Sequence, residues 1–159
     1  MRSFFAASVL ATQPANRKLA WLGASLVLLA GAWLVAAPAH AEVYAKESML
    51  KQQKEKAGGG QGVLLGEYAF TRDKAKKDEA IKEISWLTLK PGDSIGYHPH
   101  TTNEDTYIIV SGTGVFKDKD GKDVPVKAGD VTIVRKGESH GLTATGTEPL
   151  VFIDVIAEQ

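Results

Sequence analysis

The chain has 159 residues, with 19 basic and 19 acidic side chains, four histidines and no cysteine. Lack of cysteine excludes thiol catalysis, zinc-thiolate sites and disulfides, so the fold must hold by packing, with a bound metal the other staple open to it. The charge balance has no basic block suited to nucleic acid or to an anionic membrane surface.

Residues 1–41 do not resemble a folded domain. Arg2, Arg17 and Lys18 supply positive charge, and Leu19 to Ala37 is apolar except for Gly23, Ser25 and Gly31. Ala39-His40-Ala41 then places small residues where a signal peptidase reads, which predicts a secretory signal cleaved after Ala41, taking His40 with it. A retained membrane anchor is the alternative, because about 18 apolar residues are nearly enough to span a bilayer. The expected location is the bacterial periplasm or exterior, with membrane contact through the signal segment only if it stays uncleaved. The remainder, Glu42 to Gln159, is 118 residues long, the size of one domain. It holds 16 basic and all 19 acidic residues, a mild net charge of −3.

Val43 to Lys56 is rich in Lys, Glu, Gln and Ala, with a thin apolar face, and is predicted as a short helical arm. Ala57 to Gly62 contains Gly58-Gly59-Gly60 and is predicted as a flexible linker, so the arm and linker span 42–62 and the barrel 63–159. A phosphate-cradling loop is discounted there, since no Lys-Ser or Lys-Thr pair follows the glycines. The segment Arg72 to Lys82 mixes charges evenly and is predicted as a solvated loop.

From Val63 the chain alternates short β-prone runs with turns. Ile81 to Leu89 ends at Pro91-Gly92, Thr106 to Val110 at Ser111-Gly112, and Gly114 to Lys117 is joined to Val124 to Lys127 by the turn sequence DKDGKD. Val131 to Val134 and the apolar run Leu150 to Ile156 complete seven or eight strands without a helical period between them. That pattern predicts an all-β sandwich or small antiparallel barrel. Trp86, Phe116, Ile133 and Phe152 are predicted core residues.

The chemistry concentrates in GYHPHTTNED, residues 96–105. His98 and His100 leave the same face of an extended strand, and Glu104 or Asp105 opens the next strand after a short turn. His140 comes after the turn Lys136-Gly137-Glu138-Ser139. Three imidazoles and one carboxylate suit a divalent transition metal such as Mn, Fe, Ni, Cu or Zn, with positions left open for substrate. The alternative from these residues alone is an exposed polar hairpin. Tyr97 and Tyr107 flank this stretch as candidate hydrogen-bond donors to a ligand, or as packing residues. Arg135 is a candidate bidentate clamp for a carboxylate, or a solvated turn residue.

Over Val63 to Ile156 the sequence resembles the cupin superfamily, closest to its single-domain "cupin 2" type. The first cupin signature is carried by Gly92, DSIGY, His98-Pro99-His100, TTN, Glu104 and Gly112. The second is carried by Gly129, DVTIV, Arg135-Lys136-Gly137, ES, His140, GLT and Ala144, with Arg135 in place of the signature's Pro and Ala144 in place of its Asn. The resemblance implies a jelly-roll or double-stranded β-helix barrel and a metal held by His98, His100, His140 and one acid. Counting forward from His100 selects Glu104, whereas counting back from Gly112 selects Asp105, and strand alternation allows only one to face inward. Register at the Gly112 end favours Asp105. The family implies a metal-dependent enzyme of dioxygenase, decarboxylase or isomerase type, with a non-catalytic module binding a small molecule or metal as the alternative. A structural barrel with vestigial histidines is the third reading. It also implies a homodimer, for which the arm from Val43 to Lys56 is a candidate clasp.

Overall fold

A computed structural model describes residues 41–158. The predicted signal segment, up to its last residue, lies outside the described residues.

Ten antiparallel strands and two three-residue 3-10 turns, Lys46–Ser48 and Ala57–Gly59, build two sheets. The strands are β1 (Leu50–Glu55), β2 (Val63–Phe70), β3 (Ile81–Leu89), β4 (Ser94–Pro99), β5 (Glu104–Ser111), β6 (Thr113–Lys117), β7 (Asp123–Lys127), β8 (Val131–Val134), β9 (Ser139–Ala144) and β10 (Leu150–Ala157). One sheet has the order β1-β2-β3-β10-β5-β8, and the other β4-β9-β6-β7. The DKDGKD turn joins β6 to β7 with Phe116 opposite Val124, and Gly121 at its corner has φ 76°.

Side chains alternate across each strand, so every second residue enters the core. On β10, Leu150, Phe152, Asp154 and Ile156 point inward, and on β5 Asp105, Tyr107 and Ile109 do so. Leu87, Leu89, Phe116 and Leu142 close the same cluster. Two predicted core residues fall on the other parity. Trp86 alternates outward between buried Ser85 and Leu87 and lies half-buried beneath Lys46, whose Nζ is 5.7 Å from the ring centroid. Ile133 is 48% exposed on β8.

The arm departs from the predicted helix. Its C-terminal half is β1, paired antiparallel to β2 from Leu50↔Tyr68 to Glu55↔Val63. A six-residue segment has too few internal hydrogen bonds to hold a helix, whereas the open edge of β2 satisfies its backbone along its length. The glycine stretch likewise packs tightly. A Cβ on Gly60 would collide with the Ser94 carbonyl oxygen, so only glycine lets this backbone lie against β4.

Candidate metal centre

Strand geometry assembles the site from three places. His98 lies near the end of β4, His100 just beyond it, Asp105 at the start of β5, and His140 on β9 directly opposite His98 in the register. The segment beyond β4 is fastened by two backbone bonds, from His100 N–H to the Glu138 carbonyl (2.9 Å) and from Gly137 N–H to the His100 carbonyl (2.6 Å).

One donor atom from each of His98, His100, Asp105 and His140 lies within 4.8 Å of the others. His100 Nε2 is 3.1 Å from His98 Nε2 and 2.9 Å from His140 Nε2. Asp105 Oδ2 stands 3.4 Å from His100 Nε2 and 3.3 Å from His140 Nε2. His98 Nδ1 donates to the Gly96 carbonyl at 2.8 Å, which puts the His98 lone pair on Nε2, facing the other rings. His100, Asp105 and His140 are buried and His98 is partly so. Asp105 Oδ1 has no hydrogen-bond partner in the protein, an orphan a cation would satisfy. Neutral imidazoles and a carboxylate are the donors a divalent transition metal takes, so the residues fit such an ion.

Electrostatics match this arrangement. Burial pushes the His98 imidazole below its ordinary pKa, keeping it neutral. For Asp105, burial acts upward, but hydrogen bonding with His140 and Asp154 outweighs it and the carboxyl ends below its ordinary range. Asp154 is pushed well above the ordinary carboxylate range, first by burial and then by the negative charge of Asp105. The inward faces of β5 and β10 therefore present two carboxyls pushed in opposite directions, Asp105 toward its ionised form and Asp154 toward its protonated form.

The predicted site residues separate by strand parity. Asp105 enters the cluster, while Glu104 points outward and pairs with Arg135 Nη1 at 2.5 Å. That pair removes Arg135 from the cavity, so it is not in position to clamp a ligand at the histidines. Tyr97 also points away, 46% exposed, with its hydroxyl donating to the Lys119 carbonyl at 2.9 Å. Tyr107 is 2% exposed, stacks on His140 at 4.9 Å between centroids, and brings its hydroxyl to 3.4 Å from His140 Nε2.

A cavity of about 520 Å³ opens onto His98, His100 and Asp105, with His140 behind them, and is large enough for a small organic molecule. Its wall includes groups the sequence did not single out: Lys54 from β1, Tyr68, Arg72, Glu83, Asn103 and Asp154. Asp154 had a legible signal, since it shares the inward parity of Leu150 and Phe152. Arg72 had none, because the fold of the β2–β3 connection brings it to the cavity.

Fold and site together define a small β-barrel with three histidines and one aspartate clustered in its bore. The chain belongs to the cupin superfamily and carries a cupin 2 barrel: the cupin-domain profile matches residues 85–156. It is 41% identical over 98 residues to the oxalate-binding protein of Thermotoga maritima, covering 62% of this chain and 78% of that one. A crystal structure of a predicted oxalate decarboxylase from Thermotoga maritima superposes with a TM-score of 0.67 at 32% identity, over 74% of this chain and 100% of that one. A stretch of 68 residues is 35% identical to gentisate 1,2-dioxygenase of a Ralstonia species, covering 43% of this chain but 19% of that enzyme.

Proposed function

We propose that this protein binds a divalent transition metal through His98, His100, Asp105 and His140 and holds a small carboxylate, of which oxalate is the simplest, against it. The observation that carries this reading is the shared cavity: three of the four donors line the same space as the cationic side chains Arg72 and Lys54. The functions named for the two Thermotoga relatives, oxalate binding and predicted oxalate decarboxylation, support the same ligand class. Imidazole nitrogens with one carboxylate oxygen are donors that suit Mn, Fe, Ni, Cu or Zn.

When bound, such an ion would act as a Lewis acid toward a carboxylate oxygen. The chain's own residues would do the rest. Leu64, Leu87 and Ile95 supply an apolar side to the cavity, and Arg72 supplies a planar pair of donors for a second carboxylate group. Asp154 favours a catalytic reading beside pure binding. A carboxyl in the cavity wall whose hold on its proton is strengthened by burial can hand that proton to a carbon that loses carbon dioxide.

The test is elemental mass spectrometry of protein purified without chelator, beside a His98→Ala/His140→Ala variant. Near-stoichiometric metal in the parent and none in the variant is expected. Equal trace metal in both would overturn the site. Calorimetric titration of the loaded protein with oxalate, followed by assay for carbon dioxide and formate, then separates binder from decarboxylase. Export of the chain after removal of residues 1–41, and pairing of two barrels, belong to the same proposal. A mature protein beginning at Glu42 would bear out the first.

A further inference from the structure

Asn103 lies between the metal-binding histidine and the cationic wall of the cavity. Its buried side-chain amide is 2.6 Å from His100 Nδ1 on one side and 3.1 Å from Arg72 Nη1 on the other, with Nη2 closer still. A guanidinium only donates, so the amide oxygen must face Arg72. The amide nitrogen then faces His100 and donates to Nδ1, which requires the His100 ring proton to sit on Nε2. Nε2 is the atom that converges with the other imidazoles, at 2.9 and 3.1 Å. An ion bound there requires the opposite tautomer, with the proton on Nδ1 and an acceptor facing it. Asn103 cannot offer its oxygen to both neighbours along these two directions.

We infer that Asn103 couples the two halves of the site: ligation of a metal at His100 Nε2 turns the Asn103 amide, and the turn releases Arg72 to bind an anionic group of the substrate. The inference rests on the metal reading above. Before metal binds, Arg72 is held against the amide and stands 4.0 Å from Glu158. Afterwards its donors face an amide NH2 and need a new acceptor, which a carboxylate in the same cavity provides. Metal and anion binding thereby support each other, and thermodynamic linkage makes the coupling reciprocal.

The tautomer of His100 tests this directly. Long-range proton–nitrogen NMR of the imidazole rings would be recorded at about pH 8, where histidine is ordinarily neutral, on the metal-free protein and after addition of zinc, a diamagnetic probe. His100 should be protonated at Nε2 without metal and at Nδ1 with it. In metal-free Arg72→Met, where nothing pins the amide oxygen, the Nδ1–H form should gain population. In Asn103→Asp the carboxylate accepts from both sides, so Nδ1–H should predominate without metal. Zinc-loaded parent should bind oxalate about tenfold more tightly than zinc-loaded Arg72→Met, the scale of one charge-assisted hydrogen bond. An Nδ1 proton on His100 in the metal-free parent, or a tautomer indifferent to Arg72→Met, would overturn the coupling while zinc still bound. If zinc moves none of the three cavity imidazoles, the metal reading itself fails.

Discussion

At the scale of single residues, parity decides which acid serves the site. Glu104 and Asp105 are adjacent, so one enters the barrel and the other reaches Arg135 at the surface. Asp105→Asn should weaken metal binding by no less than the roughly 10–100-fold typical of losing an outer-shell partner, measured by chelator competition. Glu104→Gln breaks only an exposed pair and should leave both metal affinity and stability, within about 0.5 kcal/mol, where they were. Asp154 carries a pH signature. Its folded pKa is raised, so the folded protein holds that proton more tightly than the unfolded chain. Ionising it costs stability progressively as pH climbs from the ordinary carboxylate range, about 4, through the raised folded value. Metal-free Asp154→Asn has no such cost, and its denaturation midpoint should gain on the parent's as pH rises. A constant difference from about pH 4 to about pH 8 would contradict this. The sequence showed the histidines because their His-x-His spacing is local. Asp154 was legible only through its parity, since it alternates in step with Leu150 and Phe152 on an otherwise apolar strand.

At the scale of elements, the arm is part of the site's scaffold. β1 closes the edge of β2 and carries Lys54 to the cavity, with its Nζ 5.1 Å from the Tyr68 ring centroid. The glycine turn after it lies against His98: a Cβ on Gly58 would come within 3.0 Å of His98 Nδ1. Gly60→Ala would force a methyl onto the Ser94 carbonyl and should destabilise the fold by about 1–3 kcal/mol, as overpacking does. Because the displaced backbone flanks His98, the same variant should also hold metal more weakly. Unchanged urea midpoint and metal affinity would show that the turn is slack. This packing was not readable from composition, since three consecutive glycines mark a flexible linker and a close backbone approach equally well.

At the scale of the molecule, two sheets close over one core, and the cluster of three histidines and Asp105 sits where their inner faces meet. Phe152, fully buried between them and 4.7 Å from Tyr107, should cost about 3–5 kcal/mol when cut to alanine. Since the ion would bind only the folded barrel, saturating metal at about a hundred times its Kd should raise Tm by on the order of 10 °C, and chelator should reverse it. A Tm indifferent to chelator in metal-containing protein would place the ion elsewhere. Outside the barrel, Ile108, Val110, Val131 and Ile133 form an exposed apolar strip on neighbouring strands β5 and β8. The proposed pairing of two barrels predicts a dimer in sedimentation. If deleting residues 42–56 leaves that profile unchanged, the arm is not the clasp.

Local pattern by itself determined that this chain is an all-β barrel with His98, His100 and His140 available to one metal, because strand period, turn residues and ligand spacing are all short-range properties. Tertiary structure decided the rest. It turned Glu104, Tyr97 and Arg135 outward, made a strand of the arm, and brought Arg72 and Asp154 to the histidines from separate parts of the chain. Those outcomes depend on which strand edges find partners and on which parity meets the core, and neither is written in the residues on either side of them.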